Sequence, residues 1–404
     1  MGVLKLKDNV YSVGVLDPNL KTFDVEMSLT HGSTYNAYLI VLNNGNGILI
    51  DGVKAPFTDE WLNNIKEVIS FDKITTLILN HSEPDHSGSI AAFLKLNPDI
   101  TVYGSFLALK NLENIVNAPF NSHRVMDGEE ATFDNVTLQF LQTPNVHWPD
   151  TIITYYKEQK VAFTSDFLGA HYCPPSLRLS EIPSKENYDY FFRYYFDALM
   201  APFKKDVRVA VKKITELDLE EVYPSHGPVL DDKNAAMQAI RRYSTWAIIK
   251  RRFRPKITIV YVSSYGYTEK LAKTIAEVIN VPNVDLFTYN LQYTSLNTIV
   301  DELENSDGIL FGSPTFVGDA LGIMYNVLNA LNPFRMQGKV VSAFGSYGWT
   351  GEAVPNILAR CKQLRMNVIN DGLRVRLNPS DADLENARQF ASDFLAKVKE
   401  NFKI

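Results

Sequence analysis

Between residues 257 and 398 the chain repeats one pattern five times: a short run rich in Val, Ile and Phe, then a stretch with helical period. The apolar runs fall at 257–262, 284–289, 308–311, 339–344 and 372–375, and the helical stretches at 268–279, 296–304, 321–331, 353–363 and 382–398. Near-continuous apolar strands separated by amphipathic helices leave few choices. The strands must lie parallel, with both faces of the sheet covered. Five such units in roughly 150 residues have the size of a doubly wound α/β domain with strand order 2-1-3-4-5.

The preceding half has a different rhythm. Apolar runs at 10–15, 37–42, 47–50 and 76–79 crowd together, and Asn44-Gly45-Asn46-Gly47 marks a hairpin turn between the second and third. Helical stretches at 61–69 and 87–96 enter between strands, which suggests an αββα sandwich. A basic stretch, 241–256, ends in Arg254-Pro255-Lys256 just before the regular half begins. The expected domains are therefore 1–251 and 252–404, consistent with the two or three that 404 residues imply.

Composition removes several function classes. A net charge of −6 with no basic block argues against nucleic acid. No window of about 18 residues is free of both charges and turn formers, so no membrane span is expected. The charged start Met1-Gly-Val-Leu-Lys5 does not read as a secretory signal. Cys173 and Cys361 stand far apart and form no CxxC pair, so a thiolate metal site has no basis. A reducing cytoplasm is the expected compartment.

The apolar run 76–79 leads into Asn80-His81-Ser82-Glu83-Pro84-Asp85-His86. Between His81 and His86 every residue but Ser82 and Pro84 is a potential metal ligand. Proline and turn formers favour an extended loop here, from which His81, Glu83 and Asp85 can converge. His147, Asp166 and His226 each follow a later apolar run, and loops at one end of neighbouring strands cluster in space. Four imidazoles and three carboxylates exceed one tetrahedral ion, so a binuclear site is expected. Ligand hardness alone admits iron, zinc or manganese.

In the second half, Ser263-Ser264-Tyr265-Gly266-Tyr267-Thr268 joins the first strand to its helix. Hydroxyls, a glycine and a helix start suit a phosphate monoester. The loop lacks the spacing of an NTPase or a dinucleotide fingerprint. Ser313-Pro314-Thr315-Phe316-Val317-Gly318 and Gly345-Ser346-Tyr347-Gly348-Trp349 follow the third and fourth strands, so all three loops meet where strand order reverses. Tyr347 or Trp349 offers a ring to stack on a planar ligand.

The order HxExDH, His, Asp, His followed by a flavodoxin-like domain resembles the flavodiiron proteins, in which a metallo-β-lactamase-like domain precedes a flavodoxin-like one. Hydrolases of that superfamily usually carry HxHxDH, with His where this chain has Glu83. The resemblance implies two iron ions: His81, Glu83 and His147 on one, Asp85, His86 and His226 on the other, and Asp166 between them. It also implies FMN on the three loops, and gives His31, His171 and Tyr195 as residues around the iron pocket. The implied activity is reduction of O2 to water, of NO to N2O, or both. Implied partners are rubredoxin or a similar external donor, and a second copy in a head-to-tail homodimer or dimer of dimers. Two rivals are a binuclear zinc hydrolase, which metal analysis would reveal, and an electron carrier without bound iron.

Overall fold

A computed structural model describes residues 2–24, 27–249 and 252–402. The chain divides into two compact units, Met1–Ile249 and Lys250–Ile404. The expected boundary after residue 251 falls at residues 250 and 251, outside the described ones.

Among the described residues, the first unit holds two principal sheets. One runs Leu4–Lys7, Val10–Ser12, Tyr38–Val41, Gly47–Ile50, Ile74–Leu79, Thr101–Gly104, Asn121–Arg124. Its first four strands pair antiparallel, and its last three add on in parallel. The hairpin expected at 44–47 is present, with Val41 opposite Gly47. The other sheet runs Glu130–Phe133, Val136–Gln142, Ile152–Tyr156, Val161–Phe163, Glu221–Tyr223, parallel only at its last pair.

Side-chain alternation explains the layering. Ile48, Ile50 and Ile78 point inward to a core shared with Phe140, Ile152 and Phe163 of the facing sheet. Leu49, Leu77 and Leu79, one residue out of phase, point outward to Trp61, Ile65 and Phe93 on covering helices. On the other side Ile153, Tyr155 and Ala162 pack under helices Glu186–Tyr195, Lys204–Thr215 and Lys233–Trp246. This is the αββα sandwich.

Two local expectations need correction. The run 10–15 is not one strand: Val10–Ser12 and Val15–Asp17 lie in different sheets. Between them Gly14 passes so close to Tyr35, Asn36 and Ala37 that a Cβ there would strike their backbone. The helix expected over 87–96 starts at Ile90. The Ser89 hydroxyl accepts from Val53 N–H and the Ser89 N–H donates to Val53 O, which breaks helical continuity with the preceding turn.

In the second unit the parallel sheet has the order Asp285–Asn290, Lys256–Tyr261, Gly308–Gly312, Val340–Tyr347, with Leu373–Arg376 and the short Asn367–Val368 both pairing with the fourth of these. Ile257, Ile259 and Tyr261 face helices Tyr267–Ile279 and Asp381–Asn401, whereas Val260 and Val262 face the opposite core with Ile299, Met324 and Ile357. Order 2-1-3-4-5 is thus observed, with one addition. A small hairpin, Thr315–Phe316 with Asp319–Ala320, follows the third strand. No helix among the described residues is long and apolar enough to cross a membrane.

Candidate metal centre and flavin loops

Each loop at one end of the sandwich delivers part of a single buried cluster. Strand Ile74–Leu79 ends in Asn80, whose N–H and side-chain amide both donate to the buried carboxylate of Asp51, at 2.7 and 2.9 Å. His81 and Glu83 follow outside any strand or helix. The segment then departs from the expected loop: Pro84–Ser87 forms one helical turn that carries Asp85 and His86. Proline at the first helical position forfeits no hydrogen bond, so it starts this turn where it was expected to prevent one.

The ligand atoms separate into two sets. Glu83 Oε2 and Asp166 Oδ2 lie 3.1 Å from His147 Nε2, and 3.5 and 3.2 Å from His81 Nε2. Asp85 Oδ2 lies 3.2 Å from both His86 Nε2 and His226 Nε2, and Asp166 Oδ1 lies 3.3 and 3.4 Å from them. Asp166 alone contributes one oxygen to each set. Four of the seven groups, His81, His86, Asp166 and His226, are at most 1% exposed.

These atoms fit metal ions. Bonds of about 2.1 Å spread ligand atoms roughly 3.0 to 3.4 Å apart in octahedral or tetrahedral geometry, as found here. His81 Nε2, Glu83 Oε2, both Asp85 oxygens, His147 Nε2 and Asp166 Oδ1 are buried without a hydrogen-bond partner. So many orphaned acceptors aimed at one another are costly unless a cation satisfies them.

Electrostatics agree. Burial opposes charge on His86 and His147, yet the facing carboxylates outweigh it and lift the imidazoles to about 10 and about 9. His81 is raised well above its usual range in the same way. Burial likewise works against ionised Glu83 and Asp166, but the histidines hold both below the ordinary carboxylate range.

The other ring nitrogens are fixed from outside. His226 Nδ1 donates to Thr34 O at 2.6 Å, which leaves Nε2 as the lone-pair atom facing the cluster. His81 Nδ1 meets Ser165 Oγ at 2.8 Å. Of the expected pocket residues, His171 lies against His226, ring centroids 4.4 Å apart, and Tyr195 stacks edge-on to His171 at 4.9 Å. His171 bonds Ser33 Oγ through Nδ1. Its Nε2 and the Tyr195 hydroxyl are buried without partners. His31 has its ring against Tyr172 and Phe191 and its Nε2 near Asn187. Sequence reasoning missed Ser33, Asp51 and Ser165. Only Ser165 carried a signal, as the neighbour of Asp166.

In the second unit, Gly266 adopts φ +81° and opens helix Tyr267–Ile279 without a capping side chain of its own, and a helix start of this kind suits an anion. Ser263 Oγ accepts from Glu269 N–H, and buried Thr268 bonds Ser346 at 2.9 Å, tying the first loop to the third. Ser264, Tyr265 and Tyr267 complete the loop, with Ser264 and Tyr265 exposed. Ser313 Oγ accepts from Leu321 N–H and donates to the Pro314 carbonyl. Gly345 passes so close to Ser313 O that no Cβ fits between. A cleft of about 350 Å³ is lined by Thr315, Phe316, Val317, Gly318, Gly348 and Trp349. Phe316 and Trp349 thus both bring rings to the cleft, while Tyr347 packs near Gly351. Val317 in this loop adopts a left-handed φ of +51°, which a β-branched residue gives no hint of in sequence.

A binuclear metal cluster in an αββα domain, followed by an open parallel sheet with flavin-type loops, defines a two-cofactor redox protein. Residues 34–227 match the model of the ODP family beta lactamase, and residues 259–390 that of flavodoxin. Flavo-diiron protein FprA2 of Clostridium acetobutylicum is 36% identical across 98% of this chain and all of the relative. The anaerobic nitric oxide reductase flavorubredoxin of Aeromonas salmonicida is 32% identical over 96% of this chain and 75% of its own length. The solved rubredoxin oxygen:oxidoreductase of Desulfovibrio gigas superposes over both entire chains with TM-score 0.67 and 25% identity. The chain belongs to the flavodiiron protein family.

Proposed function

We propose that the chain is an oxidoreductase that reduces O2 to water, NO to N2O, or both, with FMN in residues 252–404 passing electrons to a diiron centre in residues 1–251. The observation that carries this reading is the separation of seven ligands into two complete sets sharing Asp166. His81, Glu83 and His147 would hold one iron, Asp85, His86 and His226 the other, and Asp166 would bridge. Iron and flavin together supply the electrons for reducing a small diatomic gas.

The chain's own residues set the pocket. His226 is held by Thr34 O and His81 by Ser165, so both present Nε2 inward. Burial, followed by the neighbouring His226, keeps His171 well below the ordinary histidine range, so it is neutral and its free Nε2 faces the pocket with one proton or one lone pair. Burial also keeps the Tyr195 phenol protonated, as a donor without a partner. Both residues can hold a polar guest beside His226, whereas His31 is proposed to act only at the rim. In the flavin loops, Ser263, Ser264, Tyr265, Gly266, Tyr267 and Thr268 would take the phosphate, and Ser313 to Gly318 and Gly345 to Trp349 the ring. The partners proposed are rubredoxin or a similar donor and a second copy of the chain, head to tail, in a reducing cytoplasm.

The test is anaerobic. Purified protein is reduced chemically, O2 or NO is added in separate trials, and flavin reoxidation is followed together with iron content. Wild type is expected to reoxidise faster than Glu83→Ala or Asp166→Ala. Equal rates, or two zinc ions with no gas consumed, would sink the proposal.

A further inference from the structure

We infer that Asp150 is a positioning residue that locks together the two loops supplying all three terminal ligands of one metal position. This role rests on the diiron reading above. His81 and Glu83 reach the cluster, whereas Ser82 between them is bonded elsewhere. What Ser82 meets is Asp150, three residues beyond His147. Asp150 Oδ2 accepts from Ser82 N–H at 3.0 Å and also from the Ser82 hydroxyl. Asn111 donates to the same hydroxyl oxygen at 2.8 Å.

Asp150 is itself fixed. It is 1% exposed, and its carbonyl accepts from Ser105 Oγ at 2.7 Å. Its carbonyl is therefore held by the loop after Thr101–Gly104, while its carboxylate grips the loop after the neighbouring strand, Ile74–Leu79. A buried carboxylate costs free energy unless its acceptors are used; Asp150 Oδ1 is buried without a hydrogen-bond partner, and the use found for Oδ2 is the residue between two ligands. His226, by contrast, is held by Thr34 and Ser33, with no bond to Asp150. The Ser82–Asp150 clamp thus sets the spacing of His81, Glu83 and His147, the one set drawn from both loops.

The test is anaerobic ferrous titration of metal-stripped protein, with chelator competition as the readout. Asp150→Ala is expected to keep one ion at wild-type affinity and to bind the other about 10- to 100-fold more weakly, the usual cost of losing a ligand's outer partner. Ser82→Ala, which keeps the N–H bond and folds as a milder change, is expected to weaken the same ion less. In a Glu83→Ala background, Asp150→Ala should change the remaining affinity by less than about twofold, because the two act on one position. Flavin content should not change. Two ions bound as tightly in Asp150→Ala and Ser82→Ala as in wild type overturn the role alone. Equal weakening of both ions overturns the selectivity claimed. A wild-type chain that takes up no iron overturns the centre itself and the role with it.

Discussion

At the scale of single residues, the centre is set by groups that never touch an ion. Ser165 is the clearest: its hydroxyl sits 2.8 Å from His81 Nδ1, so Ser165→Ala is expected to cost about tenfold in iron affinity. Chelator competition measures it. Thr154 acts one step further out, donating to Asn80 Oδ1 at 2.7 Å while Asn80 is held by Asp51. That bond occupies a buried oxygen which would otherwise stand unpaired. The seven proposed ligands stood out in sequence because metal chemistry restricts such positions to a few residue types. Ser33, Asp51 and Asp150's grip on Ser82 did not. Ser and Asp occur in any loop, and only the fold tells which atom they face.

Elements were legible wherever a period was sustained. The strands at 257–262 and 308–311 and the helices 296–304 and 353–363 appear almost as read, because both faces of the sheet demanded apolar residues. Short elements were not, since a single hydrogen bond decides them. Pro84 starts a turn, and Ser89 ends the continuity of a helix. The Thr315–Ala320 hairpin turns on Val317 and Gly318, both at positive φ, a geometry suited to the twist of hairpins. The loop after the fourth strand carries the expectation that belongs here. Gly345→Ala would force its Cβ onto Ser313 O, and overpacking of this kind costs about 1 to 3 kcal/mol. Because Ser313 and Gly345 open two of the flavin loops, the purified variant should carry less FMN than wild type, measured by absorbance.

For the whole molecule, two units with their own cores predict two separable responses. Stripping metal removes a ligand of the native state alone and should lower the unfolding transition of the first unit, leaving the flavin-bearing one in place; calorimetry with and without chelator decides it. The second unit carries its own pH signature. Lys339, half-buried, has its ammonium pulled down to about 8 by burial. Between about 8 and the ordinary lysine value near 10.5, the unfolded chain holds the proton that the folded one has lost. Stability of this unit should therefore rise with pH across that window, and Lys339→Met should flatten the rise in denaturant titrations.

The sharing of Asp166 between both ligand sets has one more consequence, a mechanical one. Loaded with metal, the chain would be tied at 81, 147, 166 and 226, points in loops that follow strands of both sheets. Such ties act as removable cross-links that close long loops. A single molecule stretched from its ends should yield the segment from 81 to 226 only after the ties rupture, as one late and abrupt extension. With chelator present, the same segment should pay out earlier and at lower force.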